Sequence, residues 1–157
     1  MNDKKQLYRN DLAILSCLRE NSREKLTLIS KRIRLPVSTI FDRLSAYKEF
    51  TRNTTLVDFS QLGFGAHVSI LLKTAKAERE KVTTHLSSHP NVNSILRITN
   101  GYDYLIEGVF RTMTDVEDFI EKIEEQYTVK KKDVFYVLQD VRRETFLSNP
   151  ETVKLVQ

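Results

Sequence analysis

The sequence predicts an α+β chain, with an N-terminal three-helix, helix-turn-helix unit ahead of a ferredoxin-like βαββαβ domain. Three observations carry this. Apolar residues recur at three- and four-residue steps through the first 50 positions, the period of helices buried on one face. From Ala66 onward, alternating and helical patterns interleave in the order strand, helix, strand, strand, helix, strand. Between the two regions, residues 60–65 (Ser-Gln-Leu-Gly-Phe-Gly) hold two of the four glycines in the chain. The expected division is therefore 1–53 for the helical unit, 54–65 for a strand and hinge, and 66–157 for the second domain.

Ile14 with Leu12, Leu15 and Leu18 gives a first helix from about Asp11 to Glu20, stopped at Asn21-Ser22. Leu26, Ile29 and Ile33, with Leu28, give a second over Lys25 to Ile33. Pro36 suits the first turn of a third, because its missing N–H forfeits no hydrogen bond there. That helix runs to about Phe50, with Val37, Ile40, Leu44 and Tyr47 inward. Cys17 lies on the first helix's apolar stripe and, as the only cysteine, reads as a small buried hydrophobe.

Two short helices, a tight break and a third helix form a helix-turn-helix pattern. Its chemistry needs short polar side chains on the outer face of the last helix, where they reach base edges in a major groove. Ser38, Thr39, Phe41, Asp42 and Ser45 fall there, and Arg23, Lys31, Arg32, Arg34, Lys48 and Arg52 surround them as phosphate contacts. Asp42 repels phosphate unless it accepts from a cytosine amine or pairs with a neighbour. Arg43 has two open readings, a DNA contact or a brace for the bundle. Charge agrees: residues 1–59 carry 12 Lys/Arg against 7 Asp/Glu, the remainder 13 against 14.

Thr54–Phe59 is rich in β-formers and predicts a strand leaving the bundle. Ala66–Lys73 alternates as a strand. Ala77–Ser88 reads as a helix ended by His89-Pro90, and Val92–Thr99 and Tyr102–Phe110 as strands joined at Asn100-Gly101, a pair suited to a two-residue turn. Thr114 and Glu117 suggest a capping box, with Val116, Phe119, Ile120 and Ile123 inward on the helix that follows. Val134–Val141 reads as the last strand and Lys130-Lys131-Lys132 as a loop balancing the acidic run 117–125. Two helices cover one face of a four-stranded sheet. The other is expected to hold Leu71, Ile95, Leu105, Val109, Phe135 and Val137, mixed with His67, Arg97, Glu107 and Gln139. An apolar centre with polar edges suits a homodimer interface.

The chain resembles the Lrp/AsnC, or feast/famine, family of transcriptional regulators over about residues 7–141. Five segments carry the likeness: Asp11-Leu12-Ala13-Ile14-Leu15, Leu18 to Arg23, Ser38-Thr39-Ile40-Phe41-Asp42-Arg43-Leu44, Val57 to Gly63, and Asn100-Gly101-Tyr102-Asp103-Tyr104-Leu105. The resemblance implies a winged or strand-linked helix-turn-helix, duplex DNA as partner, dimers that often assemble into octamers, and amino-acid effectors bound near Thr99, Asn100, Gly101, Tyr102 and Asp103. Two positions depart from the family pattern. Thr51-Arg52-Asn53 stands where the family has Gly-Val-Ile after the recognition helix, and the turn glycine falls one residue late, at Gly101.

No apolar run reaches the roughly 18 residues of a membrane span, and Met1–Asn10 lacks a signal-peptide core, so a cytoplasmic protein is expected. No phosphate-cradling glycine loop, nucleophile elbow or convergent metal spacing among His67, His85 and His89 is present. Neither catalysis nor a cofactor is expected. The rival reading is an amino-acid-sensing or oligomerisation protein that does not bind DNA.

Overall fold

The computed structural model describes residues 9–151; the polar stretch 1–8 and the end of the tail, 152–157, lie outside them. The described residues form two compact units, 9–55 together with 141–151, and 56–140.

In the first unit the apolar steps produce α1 (Arg9–Glu20), α2 (Leu26–Ile33) and α3 (Val37–Tyr47). Ile14, Cys17, Ile29, Ile40 and Tyr47 close its core, with Leu15, Leu18, Leu26, Ile33, Leu35 and Leu44 packed around them. Burial pushes the Cys17 thiol up, as expected of a cysteine used as a small hydrophobe. Val37 departs from the expected inward set. As the first residue of α3 it precedes the turn that packs, and it stays partly exposed.

Residues 141–151, expected with the second domain, belong to this helical unit. Arg19 of α1 holds them: its guanidinium donates to the Phe146 carbonyl at 2.6 Å and to the Glu144 carbonyl at 2.9 Å, and pairs with the Glu144 carboxylate at 3.1 Å. No hydrophobic periodicity announces this clasp, because backbone carbonyls carry no sequence signature.

The second unit is built from β1 (Ala66–Thr74), α4 (Arg79–Ser88), β2 (Val92–Arg97), β3 (Tyr104–Phe110), α5 (Met113–Gln126) and β4 (Val129–Tyr136). The sheet order is β2-β3-β1-β4, with every neighbouring pair antiparallel. Strict alternation along β1 sends Val68, Ile70 and Leu72 to the core and His67, Ser69, Leu71 and Lys73 to the opposite face. Val82 and Leu86 from α4, and Val116, Phe119, Ile120 and Ile123 from α5, close that core against Tyr104, Ile106 and Phe110. Gly108 is required within β3: a Cβ there would sit 2.5 Å from the Phe110 ring.

Several local expectations change. The expected strand at Thr54–Phe59 does not form; its backbone finds no ladder partner among the described residues. Asp58 instead opens a 3-10 turn, Phe59–Leu62, by accepting from the Ser60 amide at 3.1 Å. These bonds hold the Asp58 carboxyl below its ordinary range. The capping box lies two residues earlier than expected: Thr112 caps α5 and Asp115, not Glu117, reaches back to it. The last strand begins at Val129 rather than Val134, because Thr74 of β1 already pairs with Val129. Lys130, Lys131 and Lys132 are therefore on an edge strand, where lysines deter strand addition. Lys132 still balances the acidic helix, through Glu124 at 2.6 Å.

The register also revises the uncovered sheet face. An irregularity between Val92 and Ser94 resets β2, so Ile95 opposes Ile106 on the core side and Leu96 opposes Leu105 on the open side. Arg97 likewise turns to the helix side, bonding the Tyr104 hydroxyl at 3.2 Å. Leu71, Leu96, Leu105 and Phe135 remain on the open face beside His67, Ser69 and Glu107, while Val109 is already buried. Gln139 lies beyond the last strand.

Candidate nucleic-acid interface and effector loop

The turn between α2 and α3 is set by Ser30. Its carbonyl accepts the amides of both Arg34 and Leu35, and its hydroxyl donates to the Leu35 carbonyl at 2.5 Å. Arg34 ends α2 in the left-handed region, φ 57°, at a cost on the order of 1 kcal/mol for a residue with a Cβ. Pro36 then caps α3. The result is a tight break with an exposed arginine at its apex.

Behind α3 lies a polar brace. Asp11, only 3% exposed, accepts from the Tyr47 hydroxyl and pairs with Arg43 at 3.3 Å. Burial first, and the Asp11 bond second, push the Tyr47 hydroxyl up from its ordinary value. The brace ties the first turn of α1 to the last turn of α3, and thereby fixes how α3 is presented. Between the two open readings of Arg43, the geometry gives it a carboxylate partner within the bundle. Periodicity alone carries a trace of this: Asp11 stands three residues before Ile14 and Tyr47 three after Leu44, both on the inward stripes. Replacing Tyr47 by phenylalanine is expected to lower the unfolding free energy of the helical unit by about 1–2 kcal/mol. Denaturation followed by circular dichroism reads it, and an unchanged midpoint would show that the bond contributes nothing in solution.

The other expected contacts are presented outward. Arg23, Lys31, Arg34, Ser38, Phe41, Asp42, Ser45, Lys48 and Arg52 are exposed and Thr39 is half-buried. Ser45 turns its hydroxyl back to the Phe41 carbonyl at 3.2 Å, which removes its donor from the outer face. Arg32 pairs with Glu20, so its charge is partly spent within the unit.

In the second unit, Thr99, Asn100 and Gly101 form the exposed tip of the β2–β3 connection, with Asn100 at φ 65° and Gly101 at φ 94°. The left-handed pair fits the expected turn chemistry, but the loop is longer than two residues. The Ile98 amide bonds the Asp103 carbonyl at 3.1 Å, and the Asp103 amide is drawn to Leu72 of β1 at 2.9 Å. Asp103 therefore points inward. It is 6% exposed, accepts from the Thr74 amide at 3.1 Å, and pairs with Arg79 at 2.5 Å. Tyr104 continues the network, its hydroxyl donating to the Arg79 carbonyl at 2.8 Å and lying 3.0 Å from the Thr83 hydroxyl. Tyr102 bonds Asp133 and lies under Lys131, whose ammonium is 4.3 Å from the ring centroid. Arg79, Thr83 and Asp133 are the members that sequence reading misses, since each is a polar residue met only through tertiary folding.

A separate open cleft of about 320 Å³ is lined by Phe64, His89, Arg111, Asp118, Phe119 and Lys122 among others, beyond the opposite end of β3. Burial, and then His85 and Lys122, lower His89 from its ordinary value. No helix among the described residues is long and apolar enough to cross a membrane.

Comparison with known proteins adds the following. Residues 66–147 match the model of the Lrp/AsnC ligand binding domain. A helix-turn-helix-type transcriptional regulator of Pyrococcus furiosus is 23% identical over 137 residues, 85% of this chain and 93% of that protein. The regulator LrpC of Bacillus subtilis is 24% identical over 115 residues, 71% of this chain and 80% of its own. Among solved structures, a transcriptional regulator of Neisseria meningitidis in complex with L-methionine superposes with a TM-score of 0.80 at 24% identity, covering 88% of this chain and 94% of that one. AsnC of Escherichia coli gives 0.79 at 21% identity, covering 90% and 99%.

Proposed function

This chain belongs to the Lrp/AsnC family, and on that premise we propose that it is a sequence-specific DNA-binding transcription regulator, acting as a homodimer with its second unit as effector sensor. The observation that carries the reading is α3. Its inner side is locked by Ile40, Tyr47 and the Asp11 brace, and its outer side offers Ser38, Phe41 and Asp42 to solvent. Lys31, Arg34, Lys48 and Arg52, before and after α3 in the chain, are exposed positive charges. A rigid helix with a polar reading face and a basic rim is what a major groove accepts.

The dimer is assigned to the open sheet face, where Leu71, Leu96, Leu105 and Phe135 gather around Ser69 and Glu107. Exposed Leu96 and Phe135 support this, since such apolar groups gain from burial against a second copy. Two-fold pairing would also present two recognition helices to two half-sites about one helical turn apart. The tip at Thr99, Asn100 and Gly101 is the segment we assign to effector contact. Asp103 shapes that segment from behind.

Purified protein mixed with sheared host DNA and competitor at near-physiological salt tests the reading. The expected result is enrichment of fragments sharing an imperfect inverted repeat. Ser38→Ala combined with Thr39→Ala should weaken the recovered site about tenfold or more while leaving non-specific affinity and the dimer unchanged. Recovery of nothing above background would transfer the protein to the rival class, a sensor that does not read DNA.

A further inference from the structure

We infer that Phe41 is a thymine reader, its ring packing against the 5-methyl group of a thymine in the major groove. The inference rests on the DNA-binding reading above and sharpens it. Phe41 is 61% exposed, whereas Ile40 beside it is fully buried. Leaving an aromatic ring largely in water forgoes the free energy of burying it. Nothing in the packing of α3 demands it, because Ile40 and Tyr47 already supply the buried side.

Position points to what covers the ring. Phe41 is the fifth residue of an eleven-residue helix, in the half that reaches base edges in this motif. Helical side chains lean toward the N-terminus, so the ring overhangs the first turn near Ser38. The neighbour three residues before it, Ser38, is short and exposed, and the ring stays open to solvent. Charge selects between a protein and a nucleic acid as occupant. The same helix-turn-helix carries exposed Lys31 and Arg34 at the end of the preceding helix and turn, and Lys48 just past the end of α3, a charge that attracts a polyanion. Within a major groove, the apolar group on a base edge is the thymine methyl; the other bases present amines, N7 or carbonyl oxygens there.

The test uses the duplex recovered by the selection above, with each thymine exchanged in turn for deoxyuridine. That exchange deletes one methyl and keeps every hydrogen-bonding group. At one thymine per half-site, the wild-type protein should lose about fourfold in affinity per methyl, the value of one buried carbon group. Phe41→Ala should bind the thymine and uridine duplexes equally, and Phe41→Leu should retain part of the discrimination. An unchanged thermal midpoint confirms that Phe41→Ala stays folded. If no uridine substitution weakens the wild-type protein while Ser38→Ala does, the DNA reading stands and the thymine assignment to Phe41 is overturned. If uridine weakens the wild-type and Phe41→Ala proteins equally, another residue meets the methyl and the inference again fails. Recovery of no duplex at all removes the DNA reading itself, and this inference with it.

Discussion

Affinity for the selected duplex is expected to fall by about three to five orders of magnitude between about 50 and 200 mM monovalent salt. Lys31, Arg34, Lys48 and Arg52 are exposed, and none is in an ion pair among the described residues. Four such groups on each of two copies give about eight phosphate contacts, and each neutralised phosphate releases close to one counterion. Alanine at Arg34 should reduce the logarithmic slope by about two, one for each copy in the dimer. Alanine at Arg32 should change it far less, because that guanidinium is engaged by Glu20. The measurement is a series of titrations by fluorescence anisotropy at stepped salt. A slope near zero would sink the phosphate assignment, and equal effects of Arg32 and Arg34 would sink the distinction drawn between paired and unpaired arginines.

How much of this was legible in advance follows from what each feature depends on. The three helices and the ferredoxin-like order were legible because they rest on periodic burial: Ile14, Ile29 and Ile40 in one unit, and Val68, Ile70 and Leu72 in the other, keep their period from sequence to structure. Boundaries that depend on ladder partners were not. Val129–Asp133 looks like a loop because three lysines in succession break the apolar alternation, yet β1 supplies a pairing edge that overrides composition. Ile95 and Leu96 exchanged faces because one irregularity in β2 inverts every side chain beyond it. Of the candidate site, the outward set on α3 was readable as the complement of the inward set. Arg43 was not, since its role is decided by Asp11, 32 residues away.

Asp103 shows the same limit at the β2–β3 connection, and its replacement should have a large effect. Resemblance places it among effector contacts, while the fold gives its carboxylate two partners inside the unit. Asp103→Ala is expected to lower the unfolding free energy of the second unit by about 3 kcal/mol, because the buried Thr74 amide loses its acceptor and Arg79 its counter-charge. Arg79 is about a third exposed, so water recovers part of its loss and holds the figure below that of a wholly buried pair. Asp103→Asn keeps an acceptor for Thr74 and removes only the charge, so its cost should be roughly half. Unfolding by denaturant measures both, and calorimetry with a panel of amino acids measures effector binding in the same variants. If Asp103 contacts the effector directly, Asp103→Asn abolishes binding even under conditions where the variant is fully folded. If it shapes the loop from behind, both variants lose stability, and effector affinity falls with the folded fraction and recovers on cooling or with a stabilising osmolyte. The geometry supports the second outcome. Asp103 anchors the strand that follows Thr99, Asn100 and Gly101 to Thr74 and Arg79, while those three residues stay exposed at the tip.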